Sequence, residues 1–372
     1  MRAPEGQAAS RGRRGGGARL ACVLLILATG ARPLTGCAFW DESAPGLSKP
    51  GVNGQKRAAN HPDDDDPESL IPAGVQTVID VNMGAVRRSA WVAPALEARD
   101  PRARAAKEEA LGYDDVRDVD RIIYAVTSAG ADAPTLVIAQ GRFTPARIEE
   151  AFRTRWPGAV VERWRGVSIL ASGENALALL TVRTFAAGPP TAVHAAIDRA
   201  FGLGPDVGAD PAIGPTRRAL CPPGRDASPA VLALVAVDAR MRARVGDAVP
   251  VPSELRQVGM RLDLGQSLDL SALGIMEGRD AAAGRAAGAA LARRLNALIA
   301  DPVTRMMLRP LGLGMVLAGT RVTADGARVL VRASIADEYR APLSSMLRTW
   351  VESSGTGAAG TAGTGAGPFG SW

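Results

Sequence analysis

The sequence predicts an α+β protein of two similar subdomains, each an antiparallel sheet with helices packed on one face. Three observations carry this. Short β-branched runs recur between turns rich in Gly and Asp, as at Arg121 to Thr127 and Thr135 to Arg142. Segments of helical period alternate with them, and in the clearest, Asp280 to Ile299, Ala283, Ala287, Ala290, Leu291, Leu295 and Leu298 fall on one face. Each half also opens on an apolar run closed by Asp, Val78-Ile79-Asp80 and then Val235-Ala236-Val237-Asp238. Both go on through helix, strand pair, long helix, strand pair and helix.

Along the chain, Val75 to Val81 reads as a buried strand. Residues 83 to 98 read as helical with Trp91 in the core, and Pro101 to Leu111 as a helix with Pro at its start. After the two β-branched runs, Thr144 to Trp156 has Thr at a helix N-cap and Pro at its first position. Three strands are expected at Ala159 to Trp164, Val167 to Ala171 and Ala176 to Arg183, then a helix from Pro190 to Phe201. Residues 205–228, rich in Pro and Gly, read as a connection between the subdomains 74–204 and 229–352.

In the second half, Val231 to Val237 reads as a strand and Ala239 to Val245 as a short helix. Val258 to Leu264 and Ser267 to Leu273 alternate around Gly265-Gln266 as a hairpin. The long helix carries Gly284 and Gly288, whose spacing suits close packing against a sheet. A helix from Pro302 to Leu308 follows, then strands Met315 to Thr323 and Ala327 to Ile335 joined through Asp325-Gly326, and a last helix from Tyr339 to Val351. Residues 353–372, a Gly/Ala/Thr tail, are expected to be disordered.

The start of the chain has a different character. Arg11, Arg13, Arg14 and Arg19 precede Leu20 to Ala31, a run of 12 uncharged residues, and the stretch ends at Leu34-Thr35-Gly36-Cys37. A basic segment, a short apolar run and small residues at a cleavage point make a secretory signal over residues 1–36. The run falls short of the about 20 residues a spanning helix needs. The four-residue ending resembles the lipobox of bacterial lipoproteins. That resemblance implies cleavage between Gly36 and Cys37, a diacylglycerol on the Cys37 thiol and a further acyl chain on its amine. It thus implies attachment to a membrane of the cell envelope, since two or more chains make anchoring stable. Ala38 resembles the outer-membrane sorting pattern of some bacteria, which implies the outer membrane, facing the periplasm. An ordinary secretory signal with a chance cysteine is the alternative. Arg13-Arg14 suggests a twin-Arg export signal, but Gly15-Gly16-Gly17 stands where that motif wants an apolar residue.

Residues 37–73 read as the lipidated cysteine and a flexible tether of roughly 30–35 Å reach. Its Asp63-Asp64-Asp65-Asp66 run lacks the sharp Gly turn of a calcium loop and reads as a solvated charge run.

The formal charge of +6 invites a nucleic-acid reading, which fails on subtraction. Residues 1–36 hold six arginines (Arg2, Arg11, Arg13, Arg14, Arg19, Arg32) and one acid, Glu5, so of 44 basic and 38 acidic residues 38 and 37 remain. No basic run stands in that part to follow a phosphate backbone. Cys22 leaves with the signal and Cys37 is acylated, so Cys221 has no partner for an internal disulfide and reads as a half-buried thiol beside Pro222-Pro223.

No catalytic signature stands out. His61 lies in the tether, and His194 sits on a helix among Ala and Val, as a surface or edge residue. No serine elbow, zinc motif or phosphate loop occurs. Gly312-Leu313-Gly314 lacks the third Gly of a dinucleotide loop and reads as a turn. Asp114, Asp115, Asp118 and Asp120 are interleaved with Arg117 and Arg121 and read as a salt-bridge patch.

The expectation is therefore a membrane-anchored, non-enzymatic envelope lipoprotein that needs no cofactor or metal. It would bind an envelope protein or contribute to assembly, and it would not bind nucleic acid. The alternative is a carrier or sensor of an apolar ligand or lipid held between sheet and helices, and a hydrolase with an unrecognised site is the third reading. The tandem α+β order also resembles, diffusely, a broad set of uncharacterised exported bacterial proteins, and that likeness implies no residue roles.

Overall fold

A single row of directly opposed residues crosses all twelve strands found among the described residues. It runs Arg321, Arg332, Ser271, Arg261, Leu232, Asp80, Ile123, Ile138, Ala186, Ala178, Ile169 and Glu162. Opposed residues of antiparallel neighbours share a face, so this row defines a first face of one continuous sheet. The structure, a computed structural model, describes residues 66–127, 134–222, 228–246, 251–308 and 314–356.

The strands are β1 (Thr77–Asn82), β2 (Val119–Val126), β3 (Thr135–Gly141), β4 (Val160–Trp164), β5 (Val167–Ser172), β6 (Asn175–Leu179), β7 (Thr184–Gly188), β8 (Val231–Ala236), β9 (Leu255–Leu264), β10 (Leu268–Met276), β11 (Arg321–Asp325) and β12 (Arg328–Ile335). Their spatial order is β11-β12-β10-β9-β8-β1-β2-β3-β7-β6-β5-β4. The helices of the first half are α1 (Met83–Arg88), α2 (Ala93–Glu97), α3 (Pro101–Leu111), α4 (Pro145–Arg155) and α5 (Pro190–Ala200). Then come α6 (Gly214–Leu220), α7 (Ala239–Gly246), α8 (Ala281–Ala300), α9 (Pro302–Leu308), α10 (Gly314–Ala318) and α11 (Arg340–Thr356).

The fold is α+β, as expected, but the two expected sheets are one. The opening strands of the two halves, β1 and β8, pair antiparallel along their length, with Val78 opposite Leu234 and Asp80 opposite Leu232. The halves still run in a common order outward from this joint: strand, helix, hairpin, helix, meander. The last meander has four strands in the first half and two in the second.

Helices lie on both faces of the first half, where one was expected. Ile148 and Phe152 of α4 pack with Leu170, Leu177 and Phe185 on the second face. Val193, Ala196 and Ile197 of α5 pack with Ile138, Ile169 and Ala178 on the first. The cause is alternation in the strands. In Leu136 to Gly141 and Thr184 to Gly188 nearly every residue is buried, so both pleat surfaces need cover. In the second half, Ala292 and Leu295 of α8 cover the second face against Val322 and Val329. The first face of that wing carries exposed Arg321, Arg328 and Arg332.

Other expectations shift at their edges. Residues 66–73, assigned to the tether, belong to the body: Leu70 and Ile71 are fully buried, and Val207 N donates to Ile71 O at 3.0 Å. The connection expected over 205–228 contributes Val207, Ile213 and Leu220 to the main core and forms α6. The helix expected over 83–98 is broken into α1 and α2 around Trp91, which is buried as expected. The strand expected from Met315 is α10 followed by β11, and β7 is a further strand beyond those expected. Helix α11 runs through Ser353 to Thr356, into the segment assigned to the tail. The signal 1–36, Cys37, the tether to residue 65, His61 and residues 357–372 lie outside the described residues.

Candidate functional site

The second face of the central strands is apolar and only half-buried. Two rows cross it. One runs Leu270, Leu262, Val231, Val81, Ile122, and the other Ala272, Met260, Ala233, Ile79, Tyr124, Val137. Ala233 is buried and the other residues of the two rows are half-buried. Their neighbours on the first face are sealed: Val78, Ile123 and Leu234 are 0% exposed. The rows lie between the α4 cluster on one side and the α8 cluster on the other. At one end, α1 leaves β1 directly, capped by Asn82 Oδ1 accepting from Ala85 N at 2.9 Å. Trp91 Nε1 then donates to Gly265 O at 3.2 Å, and Ser344 Oγ of α11 donates to Trp91 O at 3.0 Å. These bonds hold α1, α2 and α11 against the β9–β10 turn. The result is a broad apolar floor between these elements, and apolar surface left open to water marks sites of interaction.

On the first face, beneath the same strands, lies a buried charge cluster. Arg121 donates to both oxygens of Asp80 at 2.9 and 2.6 Å, and reaches Asp66 at 3.2 Å and Glu68 at 3.4 Å. Arg217 of α6 holds both oxygens of Glu68, one of them through Nη2 at 2.8 Å. Glu68 and Asp80 are 3% and 5% exposed, so their charges depend on these partners. Burial works against the Arg121 charge, yet Asp80, Asp66 and Glu68 together hold its pKa above the ordinary guanidinium value. The geometry is that of a clamp fixing residues 66–71 to β1, β2 and α6. An Asp inside an apolar strand was its one sign in the sequence.

The acidic patch before β2 is ion-paired, as expected. Arg104 Nε donates to Asp114 at 2.7 Å, Lys107 to Asp115 at 2.6 Å and Arg117 Nε to Asp118 at 2.9 Å. Asp114 also accepts from the backbone N–H groups of Val116 and Arg117, both at 2.9 Å. A cleft of about 310 Å³ opens here, lined by Arg99, Arg104, Arg117, Glu97, Glu108 and Asp114. Of its charges, Arg104 pairs with Asp114, Arg117 with Glu108 and Arg99 with Asp115.

His194 lies half-buried on α5, with its ring stacked on Trp164 at 4.5 Å. Asp198, one turn on, accepts from Trp164 Nε1 at 2.9 Å and from Arg165. Cys221 is half-buried beside Arg261, whose Nη1 stands 3.5 Å from the sulfur. Burial raises its thiol pKa, against the pull of Arg261 and Arg217. Gly36 and Cys37 lie outside the described residues. Among the described residues, no group of three or more His, Cys, Asp or Glu could hold a metal ion, and no helix is long and apolar enough to cross a membrane.

Fold and site thus define a single-sheet α+β protein with a half-open apolar face. No family model matches the chain, and no curated protein matches it. Among solved structures it is similar to TP0453. Crystal form III gives a TM-score of 0.44 at 11% identity, covering 75% of this chain and 98% of that one. Crystal form I gives 0.42 at 11% over 76% and 97%, and crystal form IV 0.43 at 10% over 76% and 96%.

Proposed function

We propose that this chain is a lipid-anchored lipoprotein of the bacterial cell envelope whose body binds an apolar ligand, such as an acyl chain, and performs no chemistry on it. The anchor reading rests on Leu34-Thr35-Gly36-Cys37. The single observation supporting the binding reading is the pair of half-buried apolar rows through Val81 and Ile79. A ligand lying along them would finish the burial that the helices leave incomplete, at about 25 cal/mol per Å² of apolar surface removed from water.

The test uses the delipidated full-length protein and a fluorescent polyene fatty acid. Met260→Arg places a charge on the floor and is expected to weaken probe binding about tenfold or more, because a charge forced against an acyl chain is costly. Far-UV circular dichroism of the variant should stay unchanged, since Met260 is half-buried. Undetectable binding, or equal binding by the variant, would overturn the ligand reading. Separately, Cys37→Ser should move the protein from the membrane pellet to the soluble fraction of an envelope extract. An unmodified Cys37 thiol in the native protein would remove the anchor.

A further inference from the structure

The two edges of the sheet are finished differently. At β11, α8 covers Val322, and Asn296 Nδ2 donates to the Val322 carbonyl at 3.3 Å, so that side chain is buried and one backbone acceptor is occupied. At β4, all five residues are exposed, with Val160 at 56%, Val161 at 55% and Trp164 at 37%. Only β5 pairs with β4 among the described residues, and its outer row of N–H and C=O groups faces no strand. The strand has no Pro or bulge, and Glu162 and Arg163 are its only charges.

One of its side chains is also held in place. On the first face Trp164 is stacked on His194 and bonded to Asp198. On the second face Val161 stands opposite Leu170 of the α4 cluster. The strand reads Val160-Val161-Glu162-Arg163-Trp164, apolar at both ends with one acid and one base between.

We infer that β4 is a docking edge for an extended segment of a partner protein, which adds to the sheet as a thirteenth, antiparallel strand. Charge complementarity sets its chemistry: a base opposite Glu162, an acid opposite Arg163, and apolar residues opposite Val160, Val161 and Trp164. A second copy of this chain fits poorly. The two-fold axis of an antiparallel pair stands normal to the sheet, so it opposes residues whose numbers differ by an even count. Glu162 then never meets Arg163. Centring the pair on either charge opposes like charges, and centring it on Val161 sets Glu162 against Val160. The inference is independent of the apolar floor, which lies on the central strands.

Two capped peptides test it on the full chain: Thr-Val-Glu-Lys-Val-Val-Thr, matched to β4 in the antiparallel sense, and its exchange form Thr-Val-Lys-Glu-Val-Val-Thr. The matched peptide should bind about tenfold more tightly by fluorescence anisotropy, from two cross-strand charge pairs. The double variant Glu162→Arg with Arg163→Glu, both exposed positions, should invert that preference. In the unaltered chain the matched peptide should slow hydrogen exchange at the amides of residues 160–164. Equal affinity for the two peptides, binding of neither, or unchanged exchange at β4 would overturn the proposal. So would a concentration-dependent dimer lost on Val161→Arg, which would give the edge to a second copy.

Discussion

Arg121 binds three acids at once. It is the shared partner of Asp80, Asp66 and Glu68 in a place where water reaches little of the two buried acids. Arg121→Met should cost about 3 kcal/mol in urea unfolding, because it strands a buried charge. Adding Asp80→Leu should recover most of the loss, since Glu68 keeps Arg217 and an apolar pair can replace a buried ion pair at little cost. If the double variant is no more stable than the single one, the clamp is not the cause. Asp114 gives the pH counterpart. Burial alone would raise its pKa, but the Arg117 and Val116 amides and the Arg104 guanidinium hold it below the ordinary value of 3.8. The unfolded chain therefore binds this proton more readily than the folded one. The stabilisation is complete above the ordinary value and drains away as pH falls through the lowered one. Asp114→Asn should lower Tm near pH 7 and flatten the fall in Tm between about pH 5 and pH 3. An unaltered acid slope would contradict this.

At the scale of elements, α6 shows how closely helices lie on this sheet. A Cβ on Gly259 of β9 would stand 2.4 Å from Thr216 Cγ2 and 2.6 Å from Leu220 Cδ1. Thr216 Oγ1 also donates to Gln257 Oε1 at 2.7 Å, so the helix is pinned where it is. Gly259→Val should therefore destabilise by about 1–3 kcal/mol through overpacking, seen as a lower urea midpoint. Gly288 of α8 is a second close approach, its missing Cβ 2.9 Å from Gly326 O, and here the spacing with Gly284 made the contact legible in the sequence. Helix α6 was not legible, because Gly214-Pro215 reads as loop although Pro suits the first turn of a helix. Strand β7 hides in Thr184-Phe185-Ala186-Ala187-Gly188, a stretch too short and Ala-rich to show a period. Met315 to Ala318 is an apolar run, and over so short a length buried helix and strand look alike. The strands around Arg165-Gly166 and Asp325-Gly326 were legible, because turn chemistry is local.

At the scale of the molecule, the β1–β8 joint decides the architecture, and no local pattern announces it. The residues that meet there, Val78 with Leu234 and Asp80 with Leu232, are over 150 apart in sequence. Each strand looks equally fit to lie at the centre of its own sheet. The opening motif shared by the halves was visible, but its meaning as a seam was not. The half-open floor was equally hidden, since Ile79 and Val81 look as buried as Val78 until the helices are seen to fall elsewhere. The main core spans the seam, joining Leu70, Val78 and Ile197 to Leu232, Leu234 and Leu273. Unfolding in guanidinium should therefore give one transition, with tryptophan fluorescence and far-UV circular dichroism sharing a midpoint. Two separated transitions would mean that the halves stand alone.

The clamp at residues 66–71 has a mechanical meaning. Tension applied to the chain ahead of Asp66 must first strip Glu68 from Arg121 and Arg217, and then draw Leu70 and Ile71 out of the core. It would next reach β1, which is gripped by β2 on one side and β8 on the other. Load entering there shears two hydrogen-bonded ladders at once instead of unzipping a free margin, so the body should resist a pull from that end as one rigid piece.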